Sequence, residues 1–238
     1  MGKKLKQQRR GKGSNAYRKP PNRYKADIEM GNPVLSGKVY AEVIDFIDDP
    51  GHTAPLMLVK FDDMREQMYI APEGIKIGDR IQIGPEAAIG IGNITSISKI
   101  PEGLPIYNIE RTPLDGGKLV KAAGSFATVM GHTENTTTVM MPSKHAVEFS
   151  NNCRAQIGIT SGGGMEMQPI MKAGKNHYIK HATNAKWPVN RGVKSNPVDH
   201  PFGGKQHHKG ASSMVSRNAP PGAKVGHIAA RRVGRKKR

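Results

Sequence analysis

Lys38-Val39-Tyr40-Ala41-Glu42-Val43-Ile44-Asp45-Phe46-Ile47, followed beyond the Asp49-Pro50-Gly51 turn by Pro55-Leu56-Met57-Leu58-Val59-Lys60-Phe61, decides the fold class. Both runs are rich in Val, Ile, Tyr and Phe and end in turn residues, which is the pattern of short strands. The series continues at residues 66–71 and 79–83, with turns at Asp62-Asp63, Pro72-Glu73-Gly74 and Ile77-Gly78. About four or five strands in roughly fifty residues make one small barrel.

The pattern restarts after residue 92. Segments 94–100, 106–111, 126–130, 136–141, 145–149 and 154–160 read as strands, Asp115-Gly116-Gly117 marks a turn, and Ala122-Ala123-Gly124 suits close backbone packing. A second small β-barrel is the economical reading. Residues 84–92, with three glycines and a proline, form the expected boundary. No amphipathic helical face exceeds two turns, so little helix is expected.

Charge divides the chain differently. Residues 1–25 hold ten Lys/Arg and no acid, 171–238 hold sixteen and one, and 26–170 hold eleven against eighteen acids, within a net charge of +18. A mildly acidic middle between two basic, Gly/Pro-rich ends reads as a globular body with arms that fold on a phosphate backbone. The expected division is a basic arm over 1–30, barrels over 31–85 and 86–165, and a basic extension over 166–238. The arm interleaves Arg9, Arg10, Lys12 and Arg18 with Tyr17, so cations can pair phosphates while a ring stacks on an unpaired base. A plain disordered or solubilising tail is the bland alternative.

Several classes are set aside. The single Cys153 excludes an internal disulfide and a multi-thiolate zinc site. No apolar run reaches the about 18 residues of a membrane span, and the charged N-terminus lacks a secretory core, so no membrane partner is expected. Met1-Gly2 opens like a myristoylation site, but Lys6 stands where Ser or Thr is needed. Gly162-Gly163-Gly164 is a hinge or tight turn and not a Walker loop, since no Gly-Lys-Ser/Thr follows. The scattered methionines read as core filling.

The second organising stretch is Trp187-Pro188-Val189-Asn190-Arg191-Gly192-Val193-Lys194-Ser195-Asn196-Pro197-Val198-Asp199-His200-Pro201-Phe202-Gly203-Gly204, continuing to Lys205, His207, His208 and Lys209. Its prolines remove donors, its paired glycines admit φ > 0, and it has no period of two or 3.6, so it must be a shaped loop. One acid among so many cations suits a loop folded around a polyanion. Candidate RNA contacts are Arg191 in bidentate pairing, Lys194, Lys205 and Lys209 as point charges, and Asn190 and Asn196 at base edges or 2′-hydroxyls. Trp187 stacks on RNA or anchors the loop on protein. His200, Gly203, Gly204, His207 and His208 complete the loop's set, and Arg217, Arg231, Arg232 and Arg235 extend it into a basic end that reads as a nucleic-acid or nuclear-import patch. The histidine spacing matches no standard zinc pattern, so no metal site is expected.

Residues 187–204 closely resemble the signature of the universal large-subunit ribosomal protein two family. Ile106-Tyr107-Asn108-Ile109-Glu110, residues 116–124 (Gly-Gly-Lys-Leu-Val-Lys-Ala-Ala-Gly) and Cys153-Arg154-Ala155-Gln156-Ile157-Gly158 support it, so the likeness spans nearly the whole chain. Pro201-Phe202-Gly203-Gly204 looks archaeal or eukaryotic, since a second histidine usually follows the proline in bacteria. The chain departs from the expected Arg-Gly-Val-Ala-Met-Asn-Pro by carrying Lys194 and Ser195, and the added lysine can reach a further phosphate.

The resemblance implies an all-β protein, an oligonucleotide-binding-fold-like barrel followed by an SH3-like barrel, with long basic irregular extensions threaded into large-subunit rRNA. It implies neighbouring ribosomal proteins, the small subunit across an intersubunit bridge and, indirectly, tRNA as partners in the cytoplasm, and a loop near the peptidyl-transferase region. No cofactor is expected beyond magnesium ions carried by the rRNA. Two rivals stay open: an enzyme with His200, beside Asp199, as general base for acyl transfer, and a free RNA chaperone.

Overall fold

In the computed structural model, which describes residues 2–18, 24–31, 37–204 and 212–234, the chain divides into two compact units: Pro21–Ala173, and Met1–Pro20 together with Gly174–Arg238. The first is almost entirely strand. β1 (Val39–Ile47), β2 (Leu56–Phe61), β3 (Glu66–Ile70) and β4 (Arg80–Ile83) form the oligonucleotide-binding-fold-like barrel. β5 (Ile94–Ser96), β6 (Pro105–Tyr107), β7 (Ala127–His132), β8 (Thr136–Met140), β9 (Ala146–Ser150) and β10 (Arg154–Ile157) form the SH3-like one.

Alternation explains where each strand points. Ala41 and Val43 turn inward onto a core of Met30, Met57, Val59, Tyr69, Ile81 and Ile83, while Glu42 between them faces solvent. The ladder with β2 then shifts register between Val43 and Asp45. The bulge takes up Ile44 and turns the end of the strand, so that Ile47 packs with a different cluster: Ile28, Leu56, Ile70, Tyr107 and Ala123. That cluster draws Leu56 and Ile70 from the first barrel and Tyr107 and Ala123 from the second, and the Tyr107 hydroxyl donates to Ile70 O at 3.1 Å. The second barrel closes on its own core of Ile97, Ile106, Ile109, Val129, Val139 and Phe149.

The expected boundary at residues 84–92 is not a loose linker. β4 and β5 pair in parallel at Ile83 and Ile94, so strands of both barrels belong to one sheet in the order β3-β2-β1-β4-β5-β10-β6-β7-β8-β9. Asn93 brackets the crossover, accepting from Gln82 N at 2.8 Å and donating to Ala88 O at 2.9 Å. Ile28 and Met30, which composition assigns to the basic arm, are buried at 4% and 0% exposure. Their short segment is stitched down by Met30 N to Gly116 O at 2.9 Å and by Lys121 Nζ to Ile28 O at 2.9 Å.

The three segments that carry the resemblance inside the barrels meet one another. Asn108 Nδ2 donates to Gln156 Oε1 at 2.8 Å. Ile109 bridges Leu119. Glu110, fully buried, receives Arg154 through Nε at 3.0 Å and Nη2 at 2.6 Å and accepts the backbone N–H groups of Arg154, Leu114 and Gly116 at 2.9, 3.2 and 3.2 Å. A buried carboxylate persists only when its lone pairs are filled in this way. Gly124, at φ +67°, lies against Gly163, whose Cα would stand 2.4 Å from a Cβ at residue 124, so the predicted close packing is backbone on backbone.

The second unit has little regular structure. It holds α1 (Lys6–Gly11), a 3₁₀ turn at Asn15–Tyr17, α2 (Ala173–Ala182), a 3₁₀ turn at Gly192–Lys194, and the two-residue parallel pair β11 (Met214–Val215) with β12 (His227–Ile228). α2 has no buried residue, which is why no periodic signal marks it in the sequence. A small core of Leu5, Phe202 and Val225, with Val193 against it, ties the N-terminal segment to the loop.

Candidate nucleic-acid interface

The loop from residue 187 to 204 is a chain of turns held by its own backbone. Ser195 N donates to Gly192 O at 3.1 Å, Asp199 N to Asn196 O at 2.9 Å, Gly203 N to His200 O at 2.9 Å, and Gly204 N back to Ser195 O at 3.3 Å. Two glycines are dictated by packing inside the loop. A Cβ on Gly203 would lie 2.4 Å from Asn196 O, and one on Gly192 would meet the His200 ring. Gly204, at φ +156°, has open space around it.

The N-terminal segment lies along this loop. Lys3 N donates to Val198 O at 2.7 Å, Lys3 Nζ stands 3.9 Å from Asp199 Oδ1, and Leu5 packs on Phe202. Gln8 Oε1 accepts the Leu5 N–H at 2.9 Å and caps α1, whose last turn carries Arg9 and Arg10 where the helix dipole favours cations. Past α1, Arg18 Nε returns to Gly13 O at 2.7 Å, and Asn184 Nδ2 holds Arg18 O at 2.8 Å, fastening the Asn15–Tyr17 turn to the end of α2.

Between these elements runs a groove of about 780 Å³. Of the expected contacts it gathers Arg9, Arg10, Tyr17, Trp187, Asn190, Lys194, Asn196 and His200, with Asp199 its one acid. Lys12, Arg18, Arg191, Arg217, Arg231 and Arg232 are exposed but do not line it. Lys205, His207, His208, Lys209 and Arg235 lie outside the described residues. Lys6 and Lys186 line the groove and were missed by the sequence reading. Lys6 falls four residues before Arg10, a spacing that puts both on one side of α1, but a helix this short leaves no pattern to read. Concentrated cations in a concave surface focus the field on an incoming anion.

The electrostatics and bonding around His200 are specific. Its Nδ1 accepts the Phe202 N–H at 3.0 Å, so the neutral ring carries its proton on Nε2 and is a donor there. The Asp199 carboxylate is paired with Lys3. Among the described residues, no three His, Cys, Asp or Glu side chains cluster to hold a metal, and no helix is long and apolar enough to cross a membrane. Cys153 is buried in the core of the second barrel, and burial, with Glu110 nearby, pushes its thiol up to about 11, so it is a packing residue and no nucleophile at neutral pH.

Comparison with known proteins agrees both with this basic groove and with the double-barrel unit. The family model for the RNA-binding N-terminal domain of Ribosomal Proteins L2 matches residues 4–83, and that for the C-terminal domain matches residues 90–224. The chain is 46% identical to large ribosomal subunit protein uL2 of Natronomonas pharaonis over 236 residues, 99% of this chain and 97% of that one. It is 46% identical to the Methanococcus vannielii protein of the same name, covering 99% and 100% of the two chains, and 44% identical to that of Haloarcula marismortui, covering 99% and 98%. With both domain models matched in order and full-length identity of this size, the chain belongs to the ribosomal protein L2 family.

Proposed function

We propose that this chain is a structural, rRNA-binding constituent of the large ribosomal subunit. The observation that carries the reading is the basic groove, in which the N-terminal segment and the 187–204 loop close on each other through Leu5, Phe202 and Val225. So few apolar side chains cannot offset the entropy of ordering the whole extension, which points to RNA as the remaining stabiliser. Arg9, Arg10, Lys194 and the exposed Arg191, Arg217, Arg231 and Arg232 neutralise phosphates, and the barrels supply the body that carries them. Magnesium ions enter with the RNA. In this role the protein braces the RNA of the peptidyl-transferase region, beside neighbouring ribosomal proteins, and supports tRNA binding and association with the small subunit in the cytoplasm.

A catalytic role for His200 is disfavoured by its bonding. A general base needs a free lone pair, and in the neutral ring the Nδ1 lone pair is engaged by Phe202 N–H while Nε2 carries the proton. The test is sucrose-gradient sedimentation of native lysate followed by a high-salt wash of the large subunits. One copy retained per large subunit is expected, since arms embedded in folded RNA survive salt that strips exposed phosphate contacts. Release into the light fractions would reject the structural role in favour of a free RNA chaperone. Subunits assembled with His200→Gln are expected to keep full peptide-bond formation; a large rate loss with intact assembly would restore the enzyme reading.

A further inference from the structure

One wall of the groove is an aromatic face and not a cation. Trp187 is the chain's single tryptophan and is 38% exposed. Among the described residues its indole N–H has no hydrogen-bond partner, and no ring or cation lies on its face. Tyr17 differs, because Lys186 Nζ stands 5.7 Å from its ring centroid and takes one face. Asn190 and Asn196 bring amide donors and acceptors to the same groove, and Arg9, Arg10 and Lys194 bring cations. Its 780 Å³ falls within the roughly 300–1,000 Å³ of sites that enclose small molecules.

A flat exposed ring inside a cationic concavity, with amides beside it, is suited to a base that has left its stack. In a duplex both faces of each base are covered by neighbours, so no base can meet Trp187 until it is extruded. Granted the RNA-binding role proposed above, we infer that the groove holds one unpaired nucleotide of the RNA. Its base stacks on Trp187, the Asn190 and Asn196 amides meet its edge, and its flanking phosphates pair with Arg9, Arg10 and Lys194.

Because Trp187 is the chain's only tryptophan, its emission reports on this contact alone. The full chain is titrated with a short single-stranded oligoadenylate and with a blunt RNA duplex of equal length, and binding of labelled RNA is followed in parallel by anisotropy. The single strand is expected to quench the emission, and the duplex to bind without quenching. Trp187→Leu lowers affinity for the single strand about 5- to 150-fold, the equivalent of one lost base–aromatic stack. Its duplex affinity stays within about twofold, and Trp187→Phe retains most of the single-strand affinity. A single strand that binds without changing the emission, or binds Trp187→Leu as tightly as the native chain, would overturn the nucleotide site while leaving RNA binding intact. Failure of both RNAs to bind would remove the RNA-binding role itself, and the site with it.

Discussion

Arg154→Met strips the guanidinium from Glu110 and leaves a carboxylate with a fully buried side chain to be held by main-chain donors alone. Breaking a buried pair by removing one partner costs about 3–5 kcal/mol. Here the N–H groups of residues 114, 116 and 154 remain at 2.9–3.2 Å, which puts the loss near the lower end, about 3 kcal/mol. For a body of this size that is a fall of roughly 6–12 °C in melting temperature. Glu110→Leu is worse, because it orphans those three donors at about 1–3 kcal/mol each. The double variant costs about as much as Glu110→Leu alone, since Arg154 has by then lost its partner. The assay is urea unfolding followed by far-UV circular dichroism, whose strand signal comes from the barrel body. A loss below about 1 kcal/mol for Arg154→Met, or a double variant equal to the sum of the singles, would refute the assignment of Arg154 as a structural cation.

Gly124→Ala, with φ +67° and a Cβ 2.4 Å from Gly163 Cα, is expected to destabilise by about 2–4 kcal/mol, against about 1 kcal/mol for Gly163→Ala, whose Cβ meets Gly124 Cα at 3.1 Å; equal melting temperatures for the two would contradict the close approach. Cys153 in the native chain is expected to resist iodoacetamide at neutral pH and to react readily in urea, as read by mass spectrometry; equal rates would show that the thiol is accessible. Burial raises the Asp49 carboxyl, but the Gly51 N–H, the His52 imidazole and the Lys25 N–H together outweigh it and hold the group below its ordinary value. Its stabilisation is therefore present above the unfolded-state pKa and lost as pH falls through the lower folded one, so Asp49→Asn should be less stable than the native chain at neutral pH and nearly equal to it at strongly acidic pH; an unchanged gap in urea midpoints would refute this.

The barrels were legible because their strands are punctuated. Asp49-Pro50-Gly51 and Asp115-Gly116-Gly117 stop one extended run and start the next, and Ala41 and Val43 alternate with Glu42 as a half-buried strand requires. The outlying segment of Ile28 and Met30 was not legible, since two apolar residues beside a basic run carry no period, and only the opposing Gly116 and Lys121 reveal their burial. Leu5, Phe202 and Val225 lie far apart in a cationic sequence, so the contact that shapes the groove has no local signature. The loop's turns could be expected from its prolines and glycines. Yet Gly192 and Gly203 turn out to make room for His200 and the Asn196 carbonyl, and local composition cannot show that. Glu110 and Arg154 were visible only as parts of a resemblance, and their pairing supplies its physical content.

The unit that carries the groove is built from opposite ends of the chain. On a translating ribosome, Leu5 is made some 220 residues before the Val225 it packs against, a wait of roughly ten to forty seconds at ordinary elongation rates. Through that interval the barrels can form, but the N-terminal segment is an unpartnered polycation surrounded by messenger and nascent RNA. Newly made chains therefore pass through a stage in which charge is displayed without shape, when binding is strong and selectivity low. Selectivity arrives only once the 187–204 loop and Val225 have been made, so the order of synthesis delays committed recognition until the groove can close.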